Sequence, residues 1–131
     1  MSKMVHSMIR VLDDQASIDW YRKAFGLEVA EQLDFESFRL TYLSNSETGF
    51  ELELTLNKGR TEPYDLGEGY GHLALVVGNV DAHHTDMVKK GLDVGKIIDF
   101  APDGELVGRF FFATDPDGYK IEVIQRGGRF Q

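Results

Sequence analysis

The chain repeats itself. His6-Ser-Met-Ile-Arg-Val11 lines up with His72-Leu-Ala-Leu-Val-Val77 at an offset of 66 residues, and with one residue deleted Gly26-Leu-Glu-Val29 lines up with Gly91-Leu-Asp-Val94. Farther on, Phe50-Glu-Leu-Glu53-Leu matches Tyr119-Lys-Ile-Glu122-Val at an offset of 69. A 131-residue chain built this way has halves of about 65 residues, each of which would be marginal without its twin. The expected organisation is therefore one domain over residues 1–131, with repeat one at about 1–57, a linker at about 58–69 and repeat two at about 70–131.

Hydropathy patterning gives the same element order in both halves. Each His-bearing run is followed by a segment with helical spacing that stops at a glycine: Ile18, Tyr21 and Phe25 form one apolar stripe, and Val80, His84, Met87 and Val88 form the other. Ser17 is the expected cap of the first helix. Gly26 and Gly91 supply the left-handed residue on which helices often end. Strands are expected at Leu27–Glu31, Phe38–Leu43 and Phe50–Leu56 in the first half, and at Val94–Ile98, Arg109–Thr114 and Tyr119–Gln125 in the second. Asn45–Gly49 and Asp115–Gly118 read as the turns between the last two strands of each half. The reading is an α+β protein made of two βαβββ repeats. Asn57–Gly71, polar and rich in glycine, reads as a linker or substrate loop.

Composition narrows the chemistry. There is no cysteine, so disulfides, thiol catalysis and cysteine-ligated zinc or iron–sulfur sites are excluded, leaving His, Asp and Glu as metal ligands. Fourteen Lys and Arg against 22 Asp and Glu give a net charge of −8, which repels nucleic acid and anionic membranes. The longest apolar run, Leu73–Val77, is far short of a membrane span. A soluble, cytoplasmic protein without a secretion signal is expected.

Alternation along the last strand of each repeat separates two faces. Glu51, Glu53, Thr55 and Asn57 share one, and Phe50, Leu52, Leu54 and Leu56 share the other, which must be covered by a helix. In the partner strand Lys120, Glu122 and Ile124 oppose Ile121 and Val123. His6, Met8 and Arg10 share a face, as do His72, Ala74 and Val76. If the halves pack with pseudo-twofold symmetry, His6, Glu53, His72 and Glu122 converge on one point. Two imidazoles and two carboxylates suit a divalent Ni, Co, Mn, Fe or Zn ion with positions left for water or substrate. Arg10, on the face of His6, is a natural anchor for an anion in an acidic protein.

Other motifs carry less. Gly67-Glu-Gly-Tyr-Gly71 precedes a strand instead of joining strand to helix, so it is no phosphate loop. Asp115-Pro-Asp-Gly118 is explained by a tight turn without calcium. His83 and His84, adjacent on a helix, are expected at a solvated surface; Trp20, Phe110, Phe111 and Phe112 are expected in the core.

From Val5 to about Gln125 the sequence resembles the vicinal-oxygen-chelate superfamily, and within it glyoxalase I of the short bacterial kind. The resemblance lies in Val5-His-Ser-Met-Ile-Arg-Val11, Ser17-Ile-Asp-Trp-Tyr21 through Phe25-Gly-Leu27, Leu52-Glu-Leu-Thr-Leu-Asn57, Gly69-Tyr-Gly-His-Leu-Ala-Leu75 and Asp115-Pro-Asp-Gly-Tyr-Lys-Ile-Glu122. It implies a cupped mixed sheet with helices on its convex face. It also implies that His6, Glu53, His72 and Glu122 are metal ligands, with Glu122 the principal base and Glu53 its counterpart, while Arg10 and Asn57 hold glutathione. A homodimer is implied, with one divalent ion per site at the subunit interface. His at position 6 resembles the nickel- or cobalt-activated class more than the zinc class. Where zinc-class relatives carry carboxylate-gripping lysines, this chain has Asp103-Gly-Glu-Leu-Val-Gly108; Lys58, Arg60 and Arg109 are the candidates to compensate.

The implied reaction is that of lactoylglutathione lyase, in which the hemithioacetal of methylglyoxal and glutathione becomes S-lactoylglutathione. A proton beside a carbonyl is too weakly acidic for a free carboxylate, so the enediolate requires a Lewis-acidic metal and a glutamate base. The alternatives are another metalloenzyme of the superfamily (epimerase, dioxygenase or antibiotic-modifying enzyme) and a metal-free binding protein of the same fold.

Overall fold

The computed structural model describes residues 1–131, which divide into two compact units, Met1–Asp65 and Leu66–Gln131. The division falls inside the segment read as a linker. Unit 1 contains β1 (His6–Val11), α1 (Asp14–Phe25), β2 (Glu28–Asp34), β3 (Phe38–Ser44) and β4 (Glu51–Asn57). Unit 2 contains β5 (Leu73–Val77), α2 (Val80–Lys89), β6 (Ile98–Phe100), β7 (Gly108–Thr114) and β8 (Lys120–Gln125). The βαβββ order is thus present twice. Each unit forms its own four-stranded mixed sheet, ordered β1-β4-β3-β2 and β5-β8-β7-β6.

In each sheet the first strand lies parallel to the last, and the remaining pairs are antiparallel. The core follows the alternation. Ile9, Val11, Leu43, Leu52 and Leu54 are buried on the helix side of the first sheet with Ile18, Trp20, Tyr21 and Ala24 of α1. In the second, Phe111, Ala113, Ile121 and Val123 are buried with Val80 and Met87 of α2. The opposite faces carry His6, Met8 and Arg10, and the Glu53 and Glu122 strands.

Helix α1 starts one turn earlier than expected. Asp13 is its cap, its side chain accepting from the Ala16 N–H at 3.1 Å, and Ser17 is fully buried within the helix. Asn79 caps α2 in the same way, accepting from the Ala82 N–H at 3.0 Å. Both caps are Asx residues preceding the helix, where a short acceptor reaches an unpaired donor. Gly26 ends α1 at φ 66°, whereas α2 ends on Lys90 and the left-handed Gly91 follows at φ 72°. The stripe of α2 is also narrower than expected, since Val88 is 53% exposed.

Each helix is clamped to its sheet by an arginine from the third strand of its unit. Arg39 of β3 meets Asp14 through Nε at 2.7 Å and Nη2 at 3.0 Å. Arg109 of β7 meets Asp81 of α2 at 2.7 Å, and Asp99 of β6 at 2.8 Å. These hydrogen bonds and charges raise both guanidinium pKa values above the ordinary arginine value.

The strand expected at Val94–Ile98 is broken. Val94 pairs with Ala113 as an isolated bridge, and regular pairing resumes only at Ile98, opposite Phe110. Between these two pairings one extra residue stands on the outer strand, the mark of a bulge. The same irregularity falls between Val29 and Glu31 in unit 1, where β2 continues through it.

Candidate functional site

The first and last strands of unit 1 bring two side chains of the predicted set together. His6 opens β1, Glu53 lies mid-way along β4, and His6 Nε2 stands 3.9 Å from Glu53 Oε1. Unit 2 repeats this. His72 lies just ahead of β5, not within it, and its Nε2 stands 3.4 Å from Glu122 Oε1 on β8. The histidine side chains are 41% and 39% exposed, and the glutamates 11% and 16%. Neither unit gathers a third His, Asp or Glu in a ligating cluster, so each presents half of the four-residue set.

The donor chemistry fits a divalent first-row ion. Ligand bonds of about 2.0–2.1 Å place neighbouring donor atoms about 3.0–3.4 Å apart, which the second pair meets and the first approaches. At 3.9 Å the His6–Glu53 contact is too long to be a hydrogen bond.

The third strands contribute one residue that the sequence reading passed over, Tyr42, and one that it placed in the core, Phe112. Tyr42 lies directly opposite Glu53, and its ring meets the His6 imidazole edge-on at 5.8 Å. A hydrogen bond to Glu53, followed by burial and the charges of Glu53, Glu51 and Glu31, pushes the Tyr42 phenol up to about 12. At the equivalent place in unit 2 Phe112 lies opposite Glu122, its ring 5.2 Å from that of His72. Phe110 and Phe112 were expected in the core, yet only Phe111 is fully buried. Period-two alternation turns their rings to the other face, where Phe110 and Glu122 line an apolar cavity of about 240 Å³ with Phe100, Val107, Ile124 and Phe130.

The remaining candidates are placed as follows. Arg10 is exposed on β1, paired in register with Thr55 of β4. Asn57 ends β4 and donates its amide to the Tyr64 hydroxyl at 3.0 Å. Lys58 Nζ is held by Asp34 at 2.6 Å, and Arg60 donates to the carbonyls of Glu62 and Pro63 and stacks on Tyr64. With Arg109 clamped between Asp81 and Asp99, all three proposed substitutes for the missing lysines are engaged within the chain. His84 was expected in solvent, but it donates from Nε2 to the Gly95 carbonyl at 2.8 Å and packs edge-on against Phe111.

Residues 3–123 match the sequence pattern of the Glyoxalase/Bleomycin resistance protein/Dioxygenase superfamily. The chain belongs to this superfamily. Its relatives include a probable lactoylglutathione lyase of Synechocystis, 36% identical over 96% of this chain and 97% of its own. The lactoylglutathione lyase of Escherichia coli O157:H7 is 34% identical over 94% and 92%. Among solved structures, the trypanothione-dependent glyoxalase I of Leishmania major superposes with a TM-score of 0.78 at 32% identity, covering 95% of this chain and 87% of its own. The expected resemblance to glyoxalase I thus holds at the level of sequence and of fold. No helix is long and apolar enough to cross a membrane.

Proposed function

We propose that this chain is a metal-dependent lactoylglutathione lyase, converting the hemithioacetal of methylglyoxal and glutathione into S-lactoylglutathione in the cytoplasm. The observation that carries the reading is the duplicated His–Glu pair, one in each unit, in a chain whose relatives named lactoylglutathione lyase align over nearly its whole length. His6, Glu53, His72 and Glu122 would hold one divalent ion, nickel or cobalt in preference to zinc. In keeping with the resemblance to glyoxalase I, the set is completed across a homodimer, with one pair from each copy.

When bound, such an ion supplies Lewis acidity, stabilising the negative charge that develops on the substrate oxygens as a carbon-bound proton leaves. The chain's own groups do the rest. Glu122 takes the proton from one carbon and returns it to the next, and Glu53 is its counterpart on the other side. The apolar cavity beside Glu122 takes the aldehyde's side chain and keeps water away from the carboxylate. Arg10 holds a glutathione carboxylate, and Asn57 hydrogen-bonds the peptide.

The test is thioester formation, followed by its ultraviolet absorbance, with chelator-stripped protein reloaded separately with nickel, cobalt, manganese and zinc. Activity should depend on metal and be greatest with nickel or cobalt. Protein that holds metal yet forms no thioester with any of the four would overturn the assignment and turn attention to other thiols and to other reactions of the superfamily.

A further inference from the structure

The apolar cavity beside Glu122 is larger than methylglyoxal requires. At about 240 Å³ it exceeds the engineered cavity of about 150 Å³ in which a protein core holds benzene, and a methyl group leaves most of it empty. Its walls are chiefly aromatic. Phe100, Phe110 and Phe130 line it, and the rings of Phe100, Phe110 and Phe112 follow one another at 6.4 and 5.7 Å toward His72, which Phe112 meets at 5.2 Å. The cavity thus begins at the His72–Glu122 pair and runs away from it along the sheet. Glu122 and Ile124 stand opposite Phe112 and Phe110, and Gly108 lies four residues before Phe112 on β7, about 13 Å along an extended strand.

The far end of the cavity is walled by the last residues of the chain. Gly127 and Phe130 exchange backbone hydrogen bonds, the Gly127 N–H donating at 2.7 Å and the Phe130 N–H at 2.9 Å. Gly128 takes the first place in this two-residue turn at φ 55°, where glycine carries no steric cost. The turn sends one side chain back to the sheet: Gly127, Gly128, Arg129 and Gln131 are exposed, whereas Phe130 is half-buried. Its ring lies over Gly108, close enough that a Cβ there would stand 3.4 Å from Cε2. A methyl group held beside Glu122 is too short to meet this wall. A phenyl ring in the same place extends over Ile124 and packs against Phe110 and Phe130, a contact between rings that gains beyond the area it buries.

We propose that Phe130 is a specificity-determining residue that fits the cavity to an aromatic side chain, so that the preferred substrate is the glutathione hemithioacetal of an aryl 2-oxoaldehyde. This rests on the lyase reading and deepens it, naming the side chain that the aldehyde carries.

The experiment uses full-length wild type, Phe130→Ala and Phe130→Leu, with thermal midpoints as the control for folding. Thioester formation is followed on the nickel-loaded proteins with phenylglyoxal and with methylglyoxal, each with glutathione. Calorimetry measures the binding of two unreactive thioethers, S-phenethylglutathione and S-propylglutathione, whose phenyl and methyl groups stand as far from sulfur as those of the two hemithioacetals. Wild type should favour phenylglyoxal about tenfold in kcat/KM and bind the phenethyl thioether about tenfold more tightly than the propyl one. Phe130→Ala should lower both ratios about tenfold, and Phe130→Leu, which keeps an apolar wall, should keep them within about threefold of wild type. Active wild type without a preference for phenylglyoxal overturns the proposal and leaves the lyase reading standing, and so do ratios that are the same in Phe130→Ala. Wild type that forms thioester from neither aldehyde refutes the lyase reading instead; the thioether affinities then decide whether Phe130 selects the ring, and binding of neither thioether overturns that as well.

Discussion

Glu122 borders an apolar cavity, and substituting its carboxylate by an isosteric amide removes the proton acceptor without changing the volume packed there. Glu122→Gln is expected to lower kcat by about 10²–10⁴, the usual range for a general base, with the thermal midpoint unaltered. Steady-state kinetics beside a melting curve check this, and a fully active variant would refute the assigned base. On the proposed reading Arg10 makes a different class of contact, to a part of the substrate remote from the bond being changed. Arg10→Ala should raise KM about tenfold while kcat stays nearly constant, the pattern of lost uniform binding. A fall in kcat at unchanged KM would place Arg10 in the chemistry. His84 shows how a residue escapes a reading by type: adjacent to His83 on a helix it looked solvated, yet it packs on Phe111 and caps the Gly95 carbonyl.

At the level of the element, both helices are secured by the same two devices, an Asx cap and an acid–arginine clamp. Asp13→Ala is expected to cost about 1 kcal/mol, and Asp13→Asn close to nothing, since Asn caps equally well. Asp14→Ala, which strips Arg39 of a two-pronged partner, should cost about 1–2 kcal/mol. Urea unfolding at constant m-value measures both; equal stability of Asp13→Ala and wild type would remove the cap from the account. Much of this level was readable beforehand. Alternation in Glu51–Asn57 separated the glutamate face from the leucine face, and the two glycine stops marked where the helices end. Ser17 misled because Asp13 and Asp14 precede it and reach the helix start first. Tyr42 stayed hidden because β3 has no clean alternation: buried Thr41 lies on the core side while Phe38, Leu40 and Tyr42 lie on the other, so polarity points the wrong way. The Val94–Ile98 strand failed at a bulge, and a one-residue register shift leaves no mark in composition.

For the whole molecule the pairing of half-sites makes a sharp prediction. If the ligand set is shared between two copies, mixing His6→Ala protein with Glu122→Gln protein should restore activity. Half of randomly formed dimers are hybrids and each hybrid has one intact site, so about a quarter of wild-type turnover returns. No recovery after subunit exchange would place each complete set within a single chain. Acid stability follows from surface pairs. Hydrogen bonds from Lys58, Arg109 and Lys90 hold the carboxyls of Asp34, Asp81 and Asp86 below the ordinary aspartate value. The unfolded chain therefore binds protons first as pH falls, and the stability these pairs give above about pH 4 is lost below it. Melting curves from pH 7 to pH 3 should show the decline, and Arg109→Gln should flatten it. The parallel pairing of first and last strands adds a constraint of another kind. His6 must wait for Glu53, and His72 for Glu122, because in each unit the strand made last inserts between the first strand and the third. A unit that lacks its last strand holds the histidine of its pair without the glutamate. On the proposed reading, metal capture is thereby tied to insertion of that last strand, and an ion taken up is a sign that the sheets have closed.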